Sequence, residues 1–146
     1  VWFPNHLQKP FKKFERYKFI SHDLRNLTVG IIGYGRLGKK VEKYTKTLGM
    51  KTINYDIKNK NINIKKFISE SNVIVVTATS YDGRKILTKE HLKALKKDSY
   101  IVNTSRFFSV DENEIIKKLK SGLLLGYATD SIDGEYEKNL YRKNGS

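Results

Sequence analysis

Short apolar runs and amphipathic stretches alternate along the chain from residue 27 onward. The apolar runs are rich in β-branched side chains, which is typical of strands buried on both faces of a parallel sheet. They predict strands at 28–33, 51–56, 72–77, 99–103 and 123–128. Between them, apolar side chains recur at helical spacing. These stretches predict helices at 36–48, 65–70 and 88–97, and another from 110 onward.

The regular alternation of strands and helices, with short connections, predicts a parallel sheet covered by helices on both faces. The first predicted helix carries Leu37, Val41, Tyr44 and Leu48 at helical spacing, and Gly49 is placed to end it. We therefore expect an α/β protein with a Rossmann-type, doubly wound parallel sheet in three αβα layers.

Residues 1–26 lack this regularity, because six aromatic side chains and both prolines are interleaved there with lysine and arginine. So many aromatic side chains are costly to expose to water. We expect this arm to pack against a partner, and residues 27–146 to form the sheet domain. The length of 146 residues fits one such domain, and 38% hydrophobic residues are enough for a packed core.

The chain carries 29 lysines and arginines against 15 acidic residues, a formal net charge of +14. A nucleic-acid-binding domain usually concentrates its basic residues on one strip. Here the lysines are scattered, and no zinc-finger, homeodomain or RNP-like motif accompanies them. We therefore favour solvated lysines, with a field that attracts anionic substrates, over a nucleic-acid footprint.

The chain contains no cysteine, which excludes disulfides, thiolate nucleophiles and cysteine-based metal sites. Its three histidines, His6, His22 and His91, lie far apart and lack the spacing of metal ligands. No apolar run is long enough to span a membrane, and the first residues lack the layout of a secretory signal. We expect a cytoplasmic protein and, since the chain does not begin with methionine, a piece of a longer one.

A complete G-x-G-x-x-G pattern occupies residues 33–38, after the first predicted strand and at the start of the first predicted helix. Gly33 would allow the tight turn, Gly35 would let a pyrophosphate approach the backbone, and Gly38 would let the helix pack on the strand. The helix start would offer free N–H groups to the negative charge. We predict a dinucleotide site whose loop contacts are Gly33, Tyr34, Gly35, Arg36, Leu37 and Gly38.

Asp56 ends the second predicted strand, 18 residues after Gly38 (56 − 38). A carboxylate at about this distance can accept hydrogen bonds from the adenosine ribose, and it repels a 2′-phosphate. This favours NAD as the cofactor. Lys58 and Lys60 follow closely and keep NADP as a less favoured alternative.

These residues resemble a known family. Residues 29–38, followed by Tyr55 and Asp56, look like the cofactor-binding signature of the D-isomer-specific 2-hydroxyacid dehydrogenases, which include phosphoglycerate, glycerate, formate and D-lactate dehydrogenases. Further similar stretches are 95–106 (family pattern M-K-x-G-A-x-L-V-N-T-A-R), 110–112 (V-D-E) and 126–130 (G-A-A-L-D). The resemblance covers roughly residues 22–135 and implies hydride transfer between NAD(H) and a 2-hydroxy or 2-oxo acid.

The resemblance also implies roles for individual residues. Arg106 would grip the substrate carboxylate and polarise the reacting carbonyl, which suits a bidentate guanidinium. Glu135, five residues after Asp130, falls where the family keeps the glutamate that pairs with its catalytic histidine. Asp130 would face the nicotinamide. Three further positions fall on cofactor contacts at strand ends: Thr77, Thr104 and Ser105.

The chain departs from the family pattern in several places. The glycine or proline after the catalytic arginine is Phe107, and Phe108 and Ser109 also break the family's G-G-x pattern. Two aromatic side chains there would narrow or reshape the substrate pocket, or displace the loop. The proline after the Thr77 position is Ala78. No histidine matches the general acid, so we expect that residue and the substrate domain to lie outside this chain, and the chain alone to be inactive.

Two other functions remain open. Some relatives resemble transcriptional corepressors that sense NAD, so the chain could be a non-enzymatic binding module. A Rossmann-type domain could also bind another nucleotide, such as SAM. The resemblance further implies a homodimer formed through the cofactor domains, with the segment before the first strand crossing to the partner.

Overall fold

The computed structural model describes residues 23–56, 63–79 and 83–131, in which strands and helices alternate in the predicted order. The strands are β1 (Thr28–Ile32), β2 (Lys51–Tyr55), β3 (Val73–Val76), β4 (Ser99–Asn103) and β5 (Leu124–Thr129). The α-helices are α1 (Arg36–Thr47), α2 (Ile64–Glu70), α3 (Lys89–Leu92) and α4 (Glu112–Lys120). Short 3-10 turns occupy Leu24–Asn26 and Phe107–Ser109.

The five strands form one parallel sheet in the order β2-β1-β3-β4-β5. The chain builds outward from β1 to β2, crosses back, and then builds outward in the opposite direction from β3 to β5. The sheet is therefore doubly wound, and the predicted α/β class is confirmed. In such sheets, ligands bind at the carboxyl ends of the strands where the order reverses, which here is between β1 and β3.

The two faces of the sheet bury side chains to different extents. On one face, α2, α3 and α4 cover a large cluster of apolar side chains. Its fully buried members include Ile32, Ile74, Ile101 and Ile115. On the other face, Val29, Ile31 and Val75 form a smaller cluster, against which Val41 of α1 packs. Each fully buried aliphatic side chain contributes about 1.5–3 kcal/mol, so the larger cluster supplies most of the hydrophobic stabilisation.

Helix α1 contacts the sheet through Gly38, which is buried, and through Val41. Val41 packs on the smaller cluster, whereas Leu37, Tyr44 and Leu48 keep 45%, 65% and 56% of their surface exposed. The helix predicted over 36–48 is present, and it ends before Gly49, where φ is +79°. Neither α1 nor any other helix of the described residues is long and apolar enough to cross a membrane.

Helix α3 is shorter than predicted, because it ends at Leu92 rather than near Lys97. Beyond it, the chain winds more tightly: the Ala94 N–H donates to the His91 carbonyl and the Leu95 N–H donates to the Leu92 carbonyl. Such i-to-i+3 bonds are those of a 3-10 turn, in which side chains three residues apart lie above one another. Leu92 and Leu95 are both buried.

Candidate functional site

The candidate site lies at the carboxyl ends of the strands, where the strand order reverses. Gly33 follows β1 and Thr77 follows β3, and the Thr77 N–H donates to the Ile32 carbonyl at 2.8 Å. Asp56 follows β2, and the Gly33 N–H donates to the Tyr55 carbonyl at 2.9 Å. Predicted site residues that are far apart in the sequence are therefore brought together along one edge of the sheet.

The three glycines of the loop have different surroundings. Gly33 has φ +95°, and a Cβ there would lie 2.5 Å from the backbone nitrogen of Ala78. A Cβ on Gly38 would collide with the Gly33 carbonyl oxygen and lie 3.2 Å from Thr77 Oγ1. A Cβ on Gly35 would meet nothing within 4 Å in the described part of the chain. The fold itself thus requires Gly33 and Gly38, whereas Gly35 borders open space.

Helix α1 begins at this open space without a side-chain cap. Gly35 is its N-cap residue, and no described side chain accepts a capping hydrogen bond there. By contrast, α2, α3 and α4 are capped by the side chains of Asn63, Thr88 and Asp111. Uncapped N–H groups at a helix start carry positive partial charge and bind anions. The start of α1 can therefore receive an anionic group.

The Thr77 hydroxyl holds the glycine loop from the β3 side. Its oxygen lies 2.6 Å from the Gly33 carbonyl oxygen and 3.2 Å from the Ile32 carbonyl oxygen. A hydroxyl has one proton, so we assign the shorter contact as its donated hydrogen bond. Thr77 lies at the predicted place, and its hydroxyl is engaged by the protein.

Glu42 of α1 belongs to this region, although no sequence motif points to it. Its carboxylate accepts a hydrogen bond from the Tyr34 hydroxyl and another from Asn54 at 3.4 Å, and it pairs with Lys46 at 2.9 Å. The hydrogen bond from Tyr34, followed by that from Lys46, lowers the pKa of Glu42 to about 2. The same contact raises the pKa of Tyr34. Tyr34, predicted as a cofactor contact, thus binds α1 through its hydroxyl.

The segment after β4 forms the second part of the edge. Thr104 donates to the Val76 carbonyl through its N–H at 3.0 Å and through its hydroxyl at 3.1 Å. The Ser105 hydroxyl lies 2.5 Å from the Ala78 carbonyl oxygen. Arg106 follows and is exposed. The segment is therefore anchored to the end of β3 and exposes Arg106 at the same edge as the glycine loop.

Asn103, the last residue of β4, is a second residue that the sequence analysis did not assign to the site. It is fully buried, its side chain accepts the Ser105 N–H at 3.0 Å, and it donates to the Arg106 carbonyl at 3.1 Å. Its own carbonyl accepts the Asp130 N–H at 3.4 Å. Asp130, exposed after β5, therefore lies at the same edge as Arg106.

Phe107 and Phe108 form a 3-10 turn together with Ser109. Their half-buried rings meet edge to face, with centroids 5.4 Å apart. The Ser109 N–H donates to the Arg106 carbonyl at 2.9 Å, and the Ser109 hydroxyl lies 3.0 Å from that of Ser105. The turn is thus fixed to the segment before it and places two aromatic side chains directly after Arg106.

Several predicted positions lie outside the described residues. They are Glu135, the lysines Lys58 and Lys60, the histidines His6 and His22, and residues 1–22 of the arm. His91 is described, and its Nδ1 lies 3.3 Å from the Thr88 nitrogen in a capping box at the start of α3. Over the ranges that the structure covers, no group of three or more His, Cys, Asp or Glu side chains could hold a metal ion.

Sequence comparison relates these features to known proteins. The sequence pattern of the D-isomer specific 2-hydroxyacid dehydrogenase NAD-binding domain matches residues 5–143. The chain is 30% identical over 131 residues to a glycerate dehydrogenase of Methylorubrum extorquens, and the aligned region covers 88% of this chain and 42% of that protein. It is 35% identical over 136 residues to an aromatic 2-oxoacid reductase of Clostridium sporogenes, and the aligned region covers 86% of this chain and 40% of that protein.

The fold is similar to that of a solved relative. The NAD complexed form of a D-isomer specific 2-hydroxyacid dehydrogenase from Lactobacillus delbrueckii ssp. bulgaricus superposes with a TM-score of 0.76 at 25% identity, over 91% of this chain and 43% of that one. The chain therefore spans about two-fifths of the length of the relatives it matches.

Proposed function

The chain belongs to the D-isomer specific 2-hydroxyacid dehydrogenase family, of which it carries the NAD-binding domain, and we propose that it binds NAD(H) along the carboxyl edge of β1, β3 and β4. The start of α1 carries this proposal. Gly35 borders open space in front of an uncapped helix, where the N–H groups of Arg36 and Leu37 would receive the pyrophosphate.

The position of Asp56 supports NAD rather than NADP. The hydrogen bond between Gly33 and Tyr55 holds the end of β2 against the glycine loop, and Asp56 is the next residue, exposed. A carboxylate beside the loop accepts hydrogen bonds from the adenosine ribose hydroxyls and repels a 2′-phosphate. We therefore propose that Asp56 binds the ribose.

The residues on the other side of the switch point would serve the nicotinamide and the substrate. Thr77, Thr104, Ser105 and Asp130 all lie at strand ends along this side. Arg106 is exposed beside them and has the fork geometry that binds a carboxylate bidentately. We propose that Arg106 binds the substrate carboxylate and polarises the carbonyl next to it.

For the whole protein, we propose NAD-dependent hydride transfer between a 2-hydroxy acid and the corresponding 2-oxo acid. Bound NAD(H) supplies the hydride acceptor or donor. Arg106 would orient the substrate, and Glu135 would hold the tautomer of the acid–base histidine. Residues 27–146 would form the cofactor domain, and residues 1–26 would contact the second copy in a homodimer.

Cofactor titration tests the proposal. NADH and NADPH are titrated into the chain, into Asp56→Asn, and into Asp98→Asn, which removes an exposed acid at the amino end of β4. Because a hydrogen bond to a charged group contributes about 1.5–3 kcal/mol, Asp56→Asn should weaken NADH binding by about tenfold or more and reduce the preference over NADPH. Asp98→Asn should bind both cofactors like the parent chain.

Two results would contradict the proposal at different levels. If the parent chain binds NADPH at least as tightly as NADH, the choice of NAD is wrong although the site is right. If the parent chain binds neither cofactor, or if Asp56→Asn binds NADH as tightly as Asp98→Asn does, the proposed cofactor site is wrong.

A further inference from the structure

A single buried side chain connects the separate parts of the candidate site on the β4 side. Asn103 has no exposed surface, and it is one of few polar residues buried in the described part of the chain. Burying an amide is unfavourable unless its donor and acceptor are both satisfied. Asn103 satisfies both with backbone groups of the two site residues that follow, Ser105 and Arg106.

The backbone of Asn103 extends this connection to the neighbouring strand. Its carbonyl accepts the N–H of Asp130, the first residue after β5. One residue therefore sets the path of the chain toward Arg106 through its side chain, and toward Asp130 through its main chain. Only a side chain of this length that carries both a donor and an acceptor can make both of these hydrogen bonds.

We propose that Asn103 is a positioning residue, which holds Arg106 at the place where it binds the substrate carboxylate. This inference rests on the proposed function of Arg106. A displacement of about 1 Å at a substrate-binding group can lower the rate about 100-fold. Loss of the Asn103 amide removes one of the two N–H donors to the Arg106 carbonyl, the other being that of Ser109 at 2.9 Å.

A merely structural role would predict lower stability alone, and two control variants measure that effect. Ile101→Ala truncates a fully buried core residue two positions earlier on β4. Ser99→Ala removes a buried hydroxyl without a hydrogen-bond partner among the described residues, at the far end of the same strand. Neither contacts the segment that follows Asn103 by a side-chain hydrogen bond.

The decisive experiment is a double-mutant cycle in the full-length gene product, with a panel of glyoxylate, pyruvate and phenylpyruvate as substrates. Asn103→Ala and Asn103→Asp are each combined with Arg106→Gln, and kcat/KM, the NADH Kd and Tm are measured. Asn103→Asp retains the shape and the acceptor but puts a carboxyl group in place of the donor at a buried position, so kcat/KM of each variant is compared at a temperature where its Tm shows it to be folded.

We expect Asn103→Ala and Asn103→Asp to lower kcat/KM by about 100-fold, with the NADH Kd changed less than about threefold. In the Arg106→Gln background, the same changes should lower kcat/KM less than about threefold, because a residue that acts through Arg106 has nothing left to position. Ile101→Ala and Ser99→Ala should leave kcat/KM at the parental value at temperatures where they are folded.

Losses that multiply in the double variants, or an equal fall in kcat/KM for Ile101→Ala at matched stability, would overturn the positioning role. If the parent protein binds NADH and the losses multiply, this inference alone is wrong. If it does not bind NADH, the proposed function is wrong, and this inference with it.

Discussion

The glycine loop allows the requirements of folding and of binding to be separated by two alanine substitutions of the same chemical size. At Gly33, φ is +95°, and a Cβ would lie 2.5–2.6 Å from three atoms of Ala78. The backbone conformation costs a non-glycine residue about 1–3 kcal/mol, and the overlap with Ala78 costs about 1–3 kcal/mol more. Gly33→Ala should therefore destabilise the chain by about 2–6 kcal/mol.

At Gly35, by contrast, φ is −83° and ψ is −158°, an extended conformation that any residue adopts. The Cβ meets no described atom within 4 Å. Alanine is less favourable than glycine at an N-cap position, but it also reduces the conformational entropy of the unfolded chain, and the two effects nearly cancel. The free energy of unfolding should therefore change by about 1 kcal/mol or less. The added methyl group would stand where the pyrophosphate is proposed to approach.

Thermal unfolding followed by circular dichroism measures the first effect, and NADH titration at a temperature where each variant is folded measures the second. At about 4 °C per kcal/mol for a domain of this size, Gly33→Ala should lower Tm by about 8–24 °C. Gly35→Ala should keep Tm within about 4 °C and lose about tenfold or more in NADH affinity. The reasoning is refuted if the two variants lose the same stability, or if Gly35→Ala binds NADH like the parent.

Two further predictions concern side chains that support the loop. Because the folded pKa of Glu42 is lowered from 4.5 to about 2, its carboxylate stabilises the fold above pH 4.5, and this contribution is lost as the pH falls from there toward 2. The Tm difference between the parent and Glu42→Gln should therefore be present at pH 7 and vanish near pH 2; a constant difference contradicts this. Thr77→Val removes the hydrogen bond to Gly33 and should cost about 1–2 kcal/mol in urea unfolding, whereas Thr77→Ser should retain most of the parental stability.

The order and type of the strands could be predicted from the sequence because each strand is a local pattern. Runs of residues rich in β-branched side chains mark β1, β3 and β4 within one residue of their observed bounds. The glycine loop was equally predictable, since the positions of its glycines relative to β1 and α1 imply the turn. Each of these sequence signals lies within the element that it predicts or within a few residues of it.

The contacts that hold the site could not be predicted in the same way. Glu42 of α1 meets Tyr34, eight residues earlier, and Asn54 of β2, and no helical or strand period relates these positions. Asn103 looks like an ordinary strand end, and its role depends on the path of residues that follow β4. The early end of α3 at Leu92 was likewise not predicted from the sequence.

The contact between the glycine loop and β3 has a consequence for the order of folding. Ala78 lies against Gly33, and Thr77 lies against Gly38. Both of these residues come after β2 and α2 in the sequence. An isolated segment that ends at Asp56 would contain the whole glycine motif but would lack Thr77 and Ala78. The glycine turn is therefore completed only by the long-range pairing of β1 with β3, and it should form late, together with the central sheet, rather than as a local nucleus.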